Sequence, residues 1–129
     1  MKKLLGFLLA LALLTGCAAG GTGSGAEAGY RRISQAEAMA LMEEETGYVI
    51  LDVRSREEYD GGHIPGAICI PHDTIDGDVP ELRDKSQTIL VYCRSGNRSK
   101  KASEALAKAG YTNVLEFGGI NTWEGNIEK

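Results

Sequence analysis

The chain has 129 residues and carries 14 Lys and Arg against 18 Asp and Glu, a formal net charge of −4. That acidic balance argues against nucleic-acid binding, which needs clustered Lys and Arg to meet phosphates. The length allows one modest core and excludes two full domains.

Lys2 and Lys3 precede an apolar run from Leu4 to Leu14. A membrane-spanning helix needs about 20 apolar residues, so the run fits the hydrophobic part of an export signal instead. It ends in Leu14-Thr15-Gly16-Cys17, which resembles the lipobox of bacterial lipoproteins, where cleavage precedes a cysteine that is then acylated. The resemblance implies a signal peptide over residues 1–16, a lipid on Cys17, and an extracytoplasmic domain anchored to a membrane of the bacterial cell envelope. Each buried methylene of such a lipid contributes about 0.8 kcal/mol. Residues 18–29 are almost entirely Gly, Ala, Ser and Thr. With little to bury, residues 17–29 are predicted to be a flexible tether, and residues 30–129 the folded domain.

Within that domain, Ser34-Gln35-Ala36-Glu37 reads as a capping box. The helix it opens presents Ala38, Leu41 and Met42 on one face and stops at Gly47. Residues 48–53 (YVILDV) form a compact apolar strand. Ser55 with Glu58 is a second capping box, for a short helix closed by Gly61 and Gly62. Residues 67–70 (AICI) read as a short strand, and residues 79–83 as a turn or short helix. Residues 88–92 (TILVY) make the clearest strand. Residues 99–109 are helical, with Ala102, Ala105, Leu106 and Ala109 on one stripe, and Gly110 stands where a C-terminal cap belongs. Residues 112–117 (TNVLEF) form a last strand before Gly118-Gly119 and an end containing Ile120 and Trp123. Strands alternating with helices imply an α/β fold, and apolar strands imply a parallel sheet covered on both faces. Ligands in such sheets bind at the carboxyl ends of strands.

Two thiols remain if Cys17 is acylated, and in an exported chain a disulfide between Cys69 and Cys93 is the default. The surroundings of Cys93 argue otherwise. Cys93 follows an apolar strand directly, and Arg94-Ser95-Gly96-Asn97-Arg98-Ser99 leads into a helix. Gly96 and Asn97 tolerate left-handed backbone, so the loop can curl and aim its amides at one point. The helix dipole points there too, and Arg94 and Arg98 add charge. Such surroundings lower a thiol pKa from about 8.5 to about 3.5–7.5. Cys93 is therefore expected to be a thiolate nucleophile whose sulfur the loop cradles.

Cys93-Arg94-Ser95-Gly96-Asn97-Arg98-Ser99 resembles the active-site loop of rhodanese-domain sulfurtransferases. Leu51-Asp52-Val53-Arg54, Glu57-Glu58-Tyr59 and the stretch from Gly62 to Ala67 resemble the family's N-terminal signature. Gly118-Gly119-Ile120 and Trp123 resemble its C-terminal one. The resemblance implies a rhodanese-like fold with a central five-stranded parallel sheet and helices on both faces. It implies sulfur transfer through a Cys93 persulfide, from a small anionic donor such as thiosulfate to cyanide, a thiol or a protein cysteine, with no metal or organic cofactor. The loop from Arg94 to Ser99 would hold the persulfide. Arg94 and Arg98 would attract the donor, and Arg98 would also be held in salt bridges. Asp52 and Arg54 would brace the loop, His63 would be a structural hydrogen-bonder and Trp123 a packing residue. Three other functions stay open: a phosphatase or arsenate reductase, a thiol redox relay through Cys69 and Cys93, and a non-catalytic binding module. Against the first, only four residues separate Cys93 from Arg98, a tight fit for an oxyanion.

Overall fold

The computed structural model describes Ala26, Glu27 and residues 29–129. The expected signal segment 1–16, the lipid site at Cys17 and most of the tether lie outside them. Helix α1 (Gln35–Glu44) starts where Ser34 accepts a hydrogen bond from the Glu37 amide at 3.0 Å. The Glu37 carboxylate accepts from the Ser34 hydroxyl and leaves the Ser34 amide alone, so only half of the expected capping box forms. Around Ser55 the box is complete, and helix α2 (Arg56–Asp60) follows it. Helix α3 (Asn97–Lys108) begins two residues earlier than its apolar stripe suggested, because the polar residues of its first turn carry no periodic signal.

The strands are β1 (Ala26–Glu27), β2 (Tyr30–Arg32), β3 (Val49–Asp52), β4 (Ile68–Cys69), β5 (Ile89–Cys93) and β6 (Val114–Gly119). They form one sheet in the order β1-β2-β6-β5-β3-β4. The five strands β2 to β6 pair in parallel, as expected, and β1 adds an antiparallel sixth through Ala26↔Arg31 and Glu27↔Tyr30. The described fold thus includes Ala26, Glu27 and Gly29 from the stretch expected to be tether. A ladder bonds backbone to backbone, so Ala26 and Glu27 join it without any hydrophobic pattern to announce them. Cys93, expected just after its strand, is instead the last residue of β5, opposite Gly119 across a register shift. Short 3₁₀ turns occupy His72–Thr74 and Ile120–Thr122.

Each face of the sheet has its own core. One packs Leu51, Val53, Ile89 and Val91 with Ala102 and Leu106 of α3. The other packs Ile50, Leu90, Leu115 and Phe117 with Ala38 of α1 and Ile64, and half-buried Leu41 and Met42 lie against it as their spacing required. The chain leaves β3 toward the β4 edge and returns on the opposite side of β3 as β5. The carboxyl ends of β3 and β5 therefore diverge into a crevice of the kind where α/β sheets bind ligands.

Candidate active site

Cys93 ends β5 inside that crevice, fully buried, and the chain turns at once into α3. The turn depends on Gly96, whose φ of 104° is left-handed, a conformation that glycine adopts readily. Asn97, expected to share that role, is already helical. The curl brings the Gly96 amide to 3.0 Å from Cys93 Sγ, and the amides of Ser95 and Ser99 also donate to it. The Ser99 hydroxyl lies 3.4 Å from Sγ. Burial alone would favour the neutral thiol. The Ser99 hydroxyl and the three amides outweigh it, so the Cys93 pKa falls below the ordinary thiol value. The loop makes a nest for one anionic sulfur, with donors from Ser95, Gly96 and Ser99.

Gly119 closes the nest from β6. A Cβ there would overlap the Arg94 carbonyl and stand 2.7 Å from Ser95 Cα, so only glycine lets the loop lie against the strand. Gln35 Nε2 donates to the Gly119 carbonyl at 2.9 Å, and the Asn121 amide to that of Arg94 at 3.2 Å.

The two loop arginines do different things. Arg98 makes a two-pronged ion pair with Glu58 of α2, at 2.6 and 3.0 Å. This bond, more than any other cause, pulls the Glu58 carboxyl down to about 2. Arg94 is exposed and lines a cavity of about 450 Å³ together with Arg54, Glu57, Glu58, Gly62 and Asn121. Asp52 and Arg54 are buried, but their hydrogen bonds do not reach the cysteine loop. Arg54 grips Asp52 and donates to the Gly62 carbonyl at 2.7 Å. Asp52 accepts the Tyr92 hydroxyl at 2.7 Å, and that hydroxyl accepts the Ile64 amide. These two residues brace the opposite wall of the crevice, a correction that follows from the outward turn of the chain after β3.

His63 is structural as expected: it stacks on Tyr59 at 3.7 Å and bonds the Tyr59 carbonyl at 2.9 Å. Trp123 packs against Phe117. Cys69 ends β4 and pairs with Asp52, which pairs on its other side with Tyr92. Two strand spacings of about 4.8 Å separate Cys69 from β5, more than the usual 4.4–6.8 Å between disulfide Cα atoms. Both thiols are free, and burial holds the Cys69 pKa up. Glu116 belongs to no motif of the sequence. Its one signal was an acid between Leu115 and Phe117 in an otherwise apolar strand. It is fully buried on β6 and bonds Ser99.

The rhodanese-like domain family matches residues 34–126 of this chain. The thiosulfate sulfurtransferase PspE of Escherichia coli (strain K12) is 39% identical over 71 residues, which cover 54% of this chain and 68% of PspE. The thiosulfate sulfurtransferase GlpE of Pseudomonas entomophila is 35% identical over 95 residues, covering 73% of this chain and 84% of GlpE. A putative sulfur carrier protein, YrkF of Bacillus subtilis, is 38% identical over 80 residues, but these are only 43% of YrkF and 61% of this chain. Among solved structures, the rhodanese-like domain of the Anabaena Alr3790 protein superposes with a TM-score of 0.69 at 30% identity, covering 75% of this chain and 77% of that one. With a family match across nearly all of the described fold and a cysteine nest between strand and helix, the chain belongs to the rhodanese-like domain family.

Proposed function

We propose that this protein is a thiosulfate-type sulfurtransferase that carries sulfane sulfur on Cys93. The carrying observation is the convergence of the Gly96, Ser95 and Ser99 amides and the Ser99 hydroxyl on Cys93 Sγ. Donors that hold a thiolate also hold the terminal sulfur of a persulfide anion. In the first half-reaction the Cys93 thiolate attacks the outer sulfur of thiosulfate. The new Sγ–S bond forms, the old S–S bond breaks, and its electron pair leaves on sulfite. In the second, cyanide or a thiolate attacks the same sulfur and Cys93 departs as thiolate. The covalent intermediate divides one difficult displacement into two easier ones. Both steps are displacements at sulfur, so the protein's own residues suffice for them.

The exposure of Arg94, which lines the cavity, supports a role for it in attracting an anionic donor. Arg98 is committed to Glu58, which leaves it poorly suited to grip a phosphate and weighs against the phosphatase reading. The separation of Cys69 from β5 weighs against a direct disulfide relay. For location, the lipobox-like segment supports a lipid on Cys17 and a domain outside the cytoplasm. Membrane fractionation of Cys17→Ser tests this, with release into the soluble fraction expected and unchanged sedimentation against it. For the activity, the purified full-length chain should form thiocyanate from thiosulfate and cyanide, and Cys93→Ser should form none. Equal rates in the two proteins would refute the role of Cys93.

A further inference from the structure

Glu116 is fully buried, and the reaction above gives it no task. Its Oε1 accepts from the Ser99 hydroxyl at 2.7 Å and from the Gly118 amide at 2.9 Å. Its Oε2 receives no hydrogen bond and meets Arg32 Nε at 3.3 Å in an ion pair whose Arg32 end is 52% exposed. A buried carboxylate short of donors costs free energy, and such groups concentrate where chemistry uses them.

Ser99 stands between this carboxylate and the sulfur, 3.4 Å from Cys93 Sγ and 2.7 Å from Glu116 Oε1, with the Gly96 carbonyl at 3.0 Å as a further acceptor. A hydroxyl has one proton to give and lone pairs to receive. When Cys93 is a thiol and Glu116 a carboxylate, S–H points at Oγ and O–H at Oε1. When Cys93 is a thiolate, the sulfur accepts the hydrogen bond of the Ser99 hydroxyl. The close Oγ–Oε1 contact then needs a proton on Glu116, because two anions cannot both receive one hydroxyl hydrogen.

We propose that Glu116 takes the Cys93 thiol proton through the Ser99 hydroxyl as the thiolate forms. The S–H bond breaks with its electron pair left on sulfur. Ser99 Oγ gains that proton and passes its own to Glu116 Oε1, so charge and atoms balance with no other reactant. The nest then holds one negative charge instead of two. Glu116 is a positioning residue here, since it acts through Ser99. The inference rests on Cys93 being the nucleophile. The charged groups facing the relay are Arg32 from β2 on Glu116 and Arg98 from α3 on Cys93. Behind Arg98 stand Glu58 from α2 and Asp52 from β3.

Ultraviolet titration of the Cys93 thiolate in the full-length chain, with Cys93→Ser as the blank, tests this. Gln at 116 keeps an oxygen acceptor but cannot hold the relayed proton. The relay leaves the carboxyl neutral beside the thiolate, so Glu116→Gln should leave the midpoint within about half a pH unit of the native one. A midpoint lower by about one unit or more in folded Glu116→Gln would show that the native thiolate faces an ionised carboxylate and would overturn the relay. Infrared spectroscopy needs no variant at 116. At a pH where the thiolate absorbs, the native protein should show a protonated carboxylic acid band that Cys93→Ser lacks, and its absence from the native protein is equally fatal. A native Cys93 that ionises only near the free-thiol value of about 8.5 would instead defeat the sulfur-transfer reading itself.

Discussion

At the scale of single residues, the site separates the sulfur's stabilisation from its surrounding charge. The hydrogen bonds that favour the Cys93 thiolate come from three amides and a hydroxyl. The arginine nearest in charge, Arg98, is neutralised by Glu58. The Glu58 pairing has a measurable consequence. Its carboxyl is depressed from 4.5 to about 2 in the folded protein. A depressed acid contributes stability that is fully present above its unfolded value and fades as pH falls through its folded value. Both partners are nearly a third exposed, so after solvent screening the contribution is about 1 kcal/mol. Glu58→Gln keeps the cap on α2 but loses the ion pair. Denaturant unfolding should find the variant less stable by that amount at neutral pH. The gap should close as pH falls from about 4.5 toward 2, and a pH-independent gap would contradict the pairing. The sequence exposed Cys93, its loop and the cap of Ser55 because each has a local signature. Glu116, and the partner of Arg98, were hidden because their meaning lies in contacts 17 and 40 residues away.

At the scale of elements, the nest needs a strand end, a left-handed glycine and a bare strand opposite. The Gly118-Gly119 pair was legible as a motif but not as a cause. Its role shows only when β6 is laid beside β5, where a side chain at 119 would strike the Arg94 carbonyl. Gly119→Ala should therefore displace the loop, at a cost on the order of 1–3 kcal/mol. Thiocyanate formation should drop far more than that modest destabilisation accounts for, and a folded, fully active Gly119→Ala would remove Gly119 from this role. The 79–82 turn is secured differently. The buried Tyr111 hydroxyl donates to the Leu82 carbonyl at 2.7 Å and receives the Val79 amide at 3.0 Å. Tyr111→Phe leaves that buried amide without its partner, so a loss of about 1–3 kcal/mol is expected by thermal unfolding. Activity per folded molecule should not change, because the turn does not touch the crevice. Residues 72–86 gave little in the sequence because this segment is held by such single long-range bonds instead of by periodic burial.

At the scale of the whole molecule, the alternation of strand and helix was readable because the apolar strands β3, β5 and β6 are buried on both faces and helices α1 and α3 each bury one face. The parallel pairing of five strands followed from that alternation. The antiparallel sixth strand did not, since its backbone pairing with β2 has no hydrophobic pattern to announce it. Strand order decides the chemistry more than composition does. Placing β3 between β4 and β5 sets Cys69 apart from Cys93 and puts Asp52 and Arg54 on the far wall of the crevice. The same order aligns Glu58 with Arg98 across it. The central claim is that Cys93 holds transferable sulfur. Mass spectrometry of the intact protein after exposure to thiosulfate tests it most directly. The expected result is the added mass of one sulfur atom, mapped to Cys93, removed by cyanide and absent from Cys93→Ser. A folded protein that stays unmodified, or that gains its sulfur on Cys69, would contradict it.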